Sequence, residues 1–367
     1  MAQPVTLDLT GDVVDLLRDL VDIESVSGNE GPITDAIEAA LRSFPHLEVL
    51  RNGDALIART NLGRPTRVVI AGHTDTVPLT AEPNLPCRIE GEGDNRVLIG
   101  RGTCDMKGGV AVQLSVAAAL AEPRHDVTWI FYDNEEVEAE RNGLLRISRE
   151  QPDLIAGDFA VLCEPTGAVV EGGCQGTLRV RATLRGRAAH SARTWMGHNA
   201  IHDAAELLTR LRTYEPAQPW VDGLQYHEGL NAVSISGGIA GNVIPDLCTI
   251  EINYRFAPDK SADEAVTWIR DYLSGFDLEL TDLAAGARPG LDLPAAAEFL
   301  AAVGGEARPK HGWTDVARFA EVGVPAVNFG PGDPAKAHAD DECCPAWQVY
   351  ACRDALVRWL QPGEVAR

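Results

Sequence analysis

Residues 67–78 read RVVIAGHTDTVP, an apolar run followed at once by a histidine and an aspartate. A continuous run of aliphatic and β-branched residues is typical of a strand that is covered on both faces of a sheet. His73 and Asp75 lie two residues apart at the end of the run, so a pleated strand would direct both side chains to the same face. The segment therefore predicts a buried strand that carries a polar pair to one edge of a sheet.

Three more apolar runs have the same character, and segments with helical spacing of apolar residues lie around them. The predicted strands are 127–132, 159–163 and 325–329, and the predicted helices are 13–20, 33–41, 106–120 and 313–321. Alternation of such strands with helices is typical of an α/β domain. We therefore expect a mostly parallel, buried sheet.

The middle third of the chain has a different pattern. Its predicted elements are strand 177–184, helix 197–214, strands 232–236 and 249–256, helix 261–273 and strand 276–281. This β-α-β-β-α-β order is that of a ferredoxin-like α+β domain. Glycine-rich segments at 172–173 and 284–290 suit interdomain hinges. We therefore predict a discontinuous domain formed by 1–174 and 291–367, interrupted by an inserted domain at 175–290.

The charge balance narrows the class of partner. The chain has 54 acidic and 32 basic residues, a formal net charge of -22. Nucleic acids and anionic membranes bind clustered Lys and Arg, so neither is the expected partner, and a small-molecule substrate is expected instead. No apolar run approaches the roughly 20 residues of a membrane span, and the first residues do not resemble a secretion signal, so a cytoplasmic location is expected.

Further candidate ligands follow the predicted strands or open a predicted helix. They are Asp105 in GRGTCDMKGG, Glu135 and Glu136 in YDNEEVEAERNG, Glu164 in VLCEPTG and His338 in NFGPGDPAKAHADDE. Each is ordinary by itself, because helix caps and surface carboxylates are common. Asp105 in particular is predicted to lie in a glycine-rich turn just before the helix 106–120, where backbone N–H groups can hold its carboxylate.

The coincidence of these residues is more informative than any one of them. Open α/β sheets gather ligands at the carboxyl ends of their strands, and these side chains all fall there. Two histidines and three carboxylates can hold a pair of zinc ions that share one carboxylate, leaving another acidic group as a base. The chain contains no G-x-S-x-G elbow, phosphate-binding loop or dinucleotide fingerprint that would indicate a different chemistry.

The motifs GHTDTVP, GRGTCDMKGG, YDNEEVEAERNG and CEPTG, followed by a late histidine, resemble the ordered signature of the two-zinc aminoacylase, desuccinylase and carboxypeptidase family. The resemblance extends from about residue 16 to residue 360. It implies two zinc ions per subunit, and cobalt or manganese can replace zinc at such sites. The implied roles are His73 and Glu164 on one ion, Glu136 and His338 on the other, Asp105 bridging, Asp75 orienting His73, and Glu135 as general base.

The same resemblance assigns roles in the inserted domain. His190 in GRAAHSA is similar to a lid histidine that reaches the active site of the neighbouring subunit, which implies a homodimer paired through this domain. The stretch NVIPDLCTIEINYRF is similar to a strand from which an asparagine and an arginine face substrate, here Asn242 and Arg255.

The substrate is implied by two further segments, 171–180 and 311–332. They are most similar to the branch that hydrolyses N-succinyl-LL-2,6-diaminopimelate to succinate and LL-2,6-diaminopimelate, a step toward lysine and cell-wall precursors. A deacetylase of acetylornithine type and a broader aminoacylase or dipeptidase remain alternatives. A non-catalytic binding protein of the same fold is a third, but it would be marked by loss of Glu135 or of a metal ligand, and all of these residues are present.

Overall fold

The computed structural model describes residues 6–81 and 83–362. The strands are β1 (Glu48–Asn52), β2 (Ala55–Arg59), β3 (Arg67–His73), β4 (Arg88–Glu90), β5 (Val97–Ile99), β6 (Asp126–Tyr132), β7 (Phe159–Leu162), β8 (Glu171–Gly172), β9 (Gly176–Arg185), β10 (Trp220–Val221), β11 (Leu224–Gln225), β12 (Gly229–Gly237), β13 (Leu247–Phe256), β14 (Asp277–Ala284), β15 (Arg308–Pro309), β16 (Ala326–Asn328) and β17 (Cys343–Pro345).

The α-helices are α1 (Val13–Val21), α2 (Gly31–Leu41), α3 (Lys107–Ala119), α4 (Gly143–Glu150), α5 (Ala200–Arg212), α6 (Ala262–Tyr272), α7 (Pro294–Val303), α8 (Val316–Glu321) and α9 (Ala346–Leu360). Within the described residues, no helix combines the length and hydrophobicity that a membrane crossing requires.

The chain forms two compact units. The first contains the described residues up to Gly172, Gly290–Arg308, and the described residues from Arg318 onward. The second contains Gly173–Pro289 and Pro309–Ala317.

Residues 309–317, which the sequence pattern places with the flanking first domain, belong to the second unit. Several contacts hold this segment there, including ring contacts of His311 with Tyr226 and His227. The indole N–H of Trp313 donates to the backbone oxygen of Ala285 at 3.0 Å, and the thiol of Cys174 lies 3.7 Å from the backbone oxygen of Thr314. Such a return is a tertiary contact, so the local pattern of the chain gives no signal for it.

The first unit is built on a sheet with the strand order β1-β2-β6-β3-β7-β16-β8-β15. Strands β6, β3, β7 and β16 run parallel, as predicted. The pairings β1 with β2, β2 with β6, and β16 with β8 are antiparallel, so the sheet is mixed at its edges. The β1–β2 hairpin was not predicted because β1, with the sequence EVLRN, lacks a continuous apolar run.

The parallel centre of this sheet determines where polar residues gather. Every residue of β6 and β7 is buried, which confirms that helices and loops cover both faces of these strands. His73 at the end of β3 pairs in register with Tyr132 at the end of β6, and Ala71 pairs with Leu162 at the end of β7. The loops that follow these three strands therefore leave the same edge of the sheet.

The second unit contains β9, α5, β12, β13, α6 and β14 in chain order, with the small β10–β11 hairpin between α5 and β12. The predicted β-α-β-β-α-β order is thus confirmed. Its four-stranded sheet is antiparallel, with the order β12-β13-β9-β14. Along β13 the residues Ile250, Ile252 and Tyr254 are fully buried, whereas Glu251 and Asn253 are only partly buried, as expected for a sheet with helices on one face.

Candidate metal centre and active site

His73 ends β3 and is almost completely buried. Its Nε2 atom lies 3.1 Å from Oδ1 of Asp105. Its Nδ1 atom lies 3.0 Å from the backbone oxygen of Asp75 and 3.4 Å from the Asp75 carboxylate, so the nearest acceptor is the carbonyl rather than the predicted side chain. A proton on Nδ1 would leave Nε2 as the ligand atom, which faces Asp105.

Asp105 lies between two histidines. Its Oδ1 atom faces His73, and its Oδ2 atom is 3.4 Å from Nε2 of His338. Burial would raise the pKa of Asp105, but hydrogen bonds from His338 and His73 lower it well below its usual range. The helix predicted to start at residue 106 begins one residue later, at Lys107, so that Met106 and not Asp105 is at the N-cap position. The loop's backbone N–H groups bind Glu342 instead.

His338 lies in the loop after β16 and is half-exposed. Its Nε2 atom is 3.0 Å from Oε1 and 2.9 Å from Oε2 of Glu136. Hydrogen bonds to Asp105 and Glu136 raise the pKa of His338 to about 10. Its backbone has φ of 62°, the left-handed region that residues other than glycine rarely adopt. Such a conformation persists only when the surrounding structure holds it.

The five predicted ligands meet in two overlapping groups. One is His73, Asp105 and Glu164, and the other is Asp105, Glu136 and His338. Within each group the potential ligand atoms all lie within 4.8 Å of one another. One imidazole and two carboxylates per group is a donor set that suits zinc and related divalent ions, and the shared Asp105 can bridge two of them. The residues therefore fit a two-metal centre.

The loop after β6 is held by two buried carboxylates. Asp75 accepts the backbone N–H of Glu135 at 3.0 Å and that of Glu136 at 3.1 Å. Glu30 accepts the backbone N–H of Asn134 at 3.1 Å. Three consecutive N–H groups are thus satisfied by side chains, and this fixes the direction in which Glu135 and Glu136 leave the strand.

Two of the residues behind this loop were not predicted. The hydroxyl of Ser27 donates to Asp75 at 2.7 Å, and Glu30 also accepts the N–H of Gly28 at 3.0 Å. The sequence SGNE at 27–30 reads as a break between two helices, so its role was not visible. The available signal was the spacing of Ser27 and Glu30, a serine followed three residues later by a carboxylate across a glycine turn.

The loop that carries Asp105 is held in a similar way by Glu342. Its Oε1 atom accepts backbone N–H groups from Gly102, Cys104 and Asp105 at 2.9, 3.0 and 3.1 Å. Its Oε2 atom accepts from Nη1 of Arg101 at 2.7 Å. Neither Glu342 nor Arg101 was predicted as a site residue, although Glu342 ends the acidic run that follows His338.

The second unit contains the other predicted residues, and it brings two of them together. The N–H of Ser191 donates to the backbone oxygen of Asn242 at 2.9 Å, and His190 forms an isolated antiparallel bridge with Val243. His190 and Asn242 are both exposed. The Nδ1 atom of His190 accepts the N–H of Ala192 at 3.1 Å, so a neutral ring carries its proton on Nε2.

Arg255 lies on β13, where it pairs in register with Thr177 of β9. Its Nε atom donates to Oδ1 of Asn253 at 3.2 Å, and Asn253 in turn donates to Oγ1 of Thr177 at 3.1 Å. Burial and the nearby charge of Arg179 lower the pKa of Arg255. The carboxylate of Asp282, 3.9 Å from Nε of Arg179, acts in the opposite direction on the pKa of Arg255.

Comparisons with known proteins identify the family. The family model for peptidase family M20/M25/M40 matches residues 69–361. A provisionally named succinyl-diaminopimelate desuccinylase of Mycobacterium tuberculosis is 51% identical over 96% of this chain and 99% of its own length. A succinyl-diaminopimelate desuccinylase of Corynebacterium glutamicum is 46% identical over 96% of this chain and 97% of its own length.

Solved structures show the same fold. The aminopeptidase PepT of Bacillus cereus superposes with a TM-score of 0.77 at 18% identity, covering 96% of this chain and 99% of its own. A Bacillus subtilis protein described as a dinuclear metal binding peptidase of the M20 family has a TM-score of 0.70 at 18% identity, covering 96% and 97%. Because the family model matches most of the chain, the chain belongs to peptidase family M20/M25/M40.

Proposed function

We propose that the chain is a two-metal amide hydrolase that converts N-succinyl-LL-2,6-diaminopimelate and water to succinate and LL-2,6-diaminopimelate. The observation that carries the proposal is the pair of ligand groups that share Asp105, next to the loop that carries Glu135. The substrate rests on the two relatives that are 46% and 51% identical over nearly the whole of both chains.

The metal centre would hold two zinc ions, with cobalt or manganese as substitutes. His73 and Glu164 would bind one ion, Glu136 and His338 the other, and Asp105 both. When bound, such ions act as Lewis acids and lower the pKa of water. Asp75 and Glu30 support this role, because they fix the backbone on which Glu136 lies.

Glu135 would act as the general base. Asp75 holds its backbone N–H, so its carboxylate leaves the strand beside Glu136, which faces His338. In the proposed reaction, the Glu135 carboxylate accepts a proton as the water oxygen bonds to the amide carbon. The carbon–nitrogen bond then breaks, and Glu135 returns the proton to the leaving amine. One residue thus serves both steps, as a carboxylate first and as a carboxylic acid second.

His190 and Asn242 would stabilise the oxygen that becomes negative during this reaction. The hydrogen bond from Ala192 to Nδ1 supports the role, because it leaves the Nε2–H of a neutral His190 as a donor. A donor placed toward a developing oxyanion contributes strongly to catalysis. In the proposed homodimer, each His190 would serve the active site of the partner subunit.

The second unit offers a surface for that pairing. Strand β12 is at the edge of its sheet, and its side chains Val233 and Ile235 are 58% and 52% exposed. Helix α5 packs next to β12 and exposes Ile201 and Leu208. An exposed edge strand with adjacent apolar side chains is suited to pairing with a second copy of the chain. These residues support the proposed homodimer.

Arg255 would bind a carboxylate of the substrate. Its guanidinium lies on the partly buried face of β13, whereas the nearby Arg179 of β9 is next to Asp282. The substrate carries a succinyl carboxylate and two amino-acid carboxylates. Guanidinium groups bind carboxylates in a planar, two-bond geometry. Arg255 would therefore favour dicarboxylate and tricarboxylate substrates over neutral peptides.

A side-by-side assay tests the substrate. Purified, zinc-loaded protein is given N-succinyl-LL-2,6-diaminopimelate and N-acetylornithine in parallel, and kcat/KM is measured for each. We expect a clear preference for the succinyl compound. A preference for acetylornithine would refute the substrate assignment while leaving the metal centre intact.

A further inference from the structure

We propose that Arg101 and Glu342 are positioning residues that fix Asp105 relative to His338, and thereby set the affinity for the metal ion that these two side chains share. This inference rests on the proposed two-metal function, because it concerns the same centre. Neither residue belongs to the two ligand groups. Their effect would therefore pass through the backbone of the two loops that carry the ligands.

Glu342 holds the first of these loops. One carboxylate oxygen accepts three backbone N–H groups, including that of Asp105 itself. The backbone N–H of Gly100, where the same loop begins, donates to the backbone oxygen of Glu342 at 3.1 Å. Both the side chain and the main chain of Glu342 thus bind the segment that ends in the bridging carboxylate.

Arg101 holds the second loop. Its Nη1 atom donates to Glu342 at 2.7 Å and also lies 3.3 Å from the backbone oxygen of Ala339, the residue after His338. His338 has the left-handed backbone conformation, which the surrounding structure must maintain. The Arg101 contact fixes the chain at the next residue, so one guanidinium joins both ligand-bearing loops.

The burial of the pair supports a specific role. The Glu342 side chain is fully buried, and the Arg101 side chain is 4% exposed. Removing two charges from water is unfavourable unless hydrogen bonds replace the lost hydration. The Glu342 carboxylate is compensated by four accepted hydrogen bonds. Arg101 is compensated through Nη1, whereas its Nε atom is buried without a hydrogen-bond partner among the described residues. The pair joins segments 241 residues apart in sequence and lies directly behind two proposed metal ligands.

The test is a calorimetric titration of metal-stripped protein with Zn²⁺, with no substrate present. Glu342→Gln keeps the shape of the side chain but removes its charge. Arg101→Lys keeps a charge, but the lysine ammonium lies one bond closer to the backbone than Nη1, the atom through which Arg101 contacts both loops. The double variant Arg101→Met with Glu342→Gln removes both buried charges. Its folded state therefore contains no buried charge that has lost its partner. Thermal unfolding of the stripped proteins shows which variants are folded.

We expect each folded variant to bind the second Zn²⁺ roughly 10- to 100-fold more weakly, the range found when groups behind metal ligands are removed. The first ion should be affected less, because Asp105 is the one ligand of its group that lies on these loops, whereas the second ion has both Asp105 and His338 there. At saturating Zn²⁺, kcat should recover toward the wild-type value with KM unchanged. The control is Glu298→Gln, which removes an exposed ion pair with Arg124 in the same unit and should change nothing.

Two results would overturn the inference. Unchanged affinity for the second ion in folded variants would show that the pair does not position the ligands. Equal weakening of both ions would show general support of the fold rather than control of one site. Intact binding of two ions by a wild-type protein that does not release succinate would refute the proposed function alone, so the two failures are distinguishable.

Discussion

Oδ1 of Asp75 accepts the backbone N–H of Glu135 at 3.0 Å, and the same oxygen lies 3.4 Å from Nδ1 of His73. One buried residue therefore connects a proposed metal ligand with the proposed general base. Burial would raise the pKa of Asp75, but hydrogen bonds from His73, Ser27 and Glu135 lower it. The carboxylate is thereby kept ionised and able to accept from all of them.

Asp75→Asn should reduce both activity and metal affinity. The amide would place an N–H₂ group where the carboxylate accepts the N–H of Glu135 or Glu136, so one hydrogen bond is replaced by a repulsion. We expect a loss of about 10- to 100-fold, as for other groups that orient metal ligands. Steady-state kinetics and zinc titration measure it. Asp15→Asn, at an exposed aspartate paired with Arg18, is the control and should be silent. Wild-type values in Asp75→Asn would refute the role of Asp75.

Glu135→Gln should leave zinc content near the wild-type value while removing most turnover. The glutamine keeps the size of the side chain but cannot accept the proton, and general-base steps contribute about 10²- to 10⁴-fold. Elemental analysis and kinetics on the same preparation measure both quantities. If the variant instead loses one zinc ion, Glu135 is a ligand and its role has been exchanged with that of Glu136.

His338→Ala should weaken one zinc ion selectively. The group formed by Asp105, Glu136 and His338 would lose its only imidazole, whereas the group around His73 keeps all its members. Calorimetric titration should then show one tight and one weak ion. His202→Ala, at an exposed histidine of the second unit, is the matched control. Two ions bound with wild-type affinity in His338→Ala would show that His338 is not a ligand.

His190 should act across a dimer interface. An inactive Glu135→Gln subunit mixed with an inactive His190→Ala subunit would form heterodimers in which one active site has its own base and the partner's histidine. Removal of such a donor costs on the order of 10²- to 10³-fold in turnover. With free exchange, about half of the dimers are mixed, so roughly a quarter of wild-type activity should return.

The complementation needs two supporting measurements. Subunit exchange is followed with differently tagged chains, and zinc content should stay normal in His190→Ala because His190 is not in either ligand group. Demonstrated exchange without any recovery would mean that His190 serves its own subunit or has no catalytic part.

The sequence predicts the elements that bury continuous apolar runs and the polar residues that follow them. Strand β3 and the position of His73 are examples, since an apolar run ending in a short polar motif has few other interpretations. The β-α-β-β-α-β order of the second unit is also visible, because its strands and helices differ in period.

The residues behind the ligands could not be predicted. Glu342 and Arg101 are 241 residues apart, and nothing in a single sequence distinguishes a buried ion pair from two solvated charges. The return of residues 309–317 to the second unit has the same cause. The local pattern of apolar and polar residues predicts the strands and helices and the polar residues that follow them. It does not show which charged residues become buried, because that depends on tertiary hydrogen bonds.

The most direct test of the central claim is release of succinate as a function of added zinc. Metal-stripped protein is titrated with Zn²⁺ in the presence of N-succinyl-LL-2,6-diaminopimelate, and succinate is measured at each ratio of metal to chain. We predict no release without metal and full activity as two equivalents per chain are bound. Unchanged release from the stripped protein, or no release at two bound equivalents, would contradict the account.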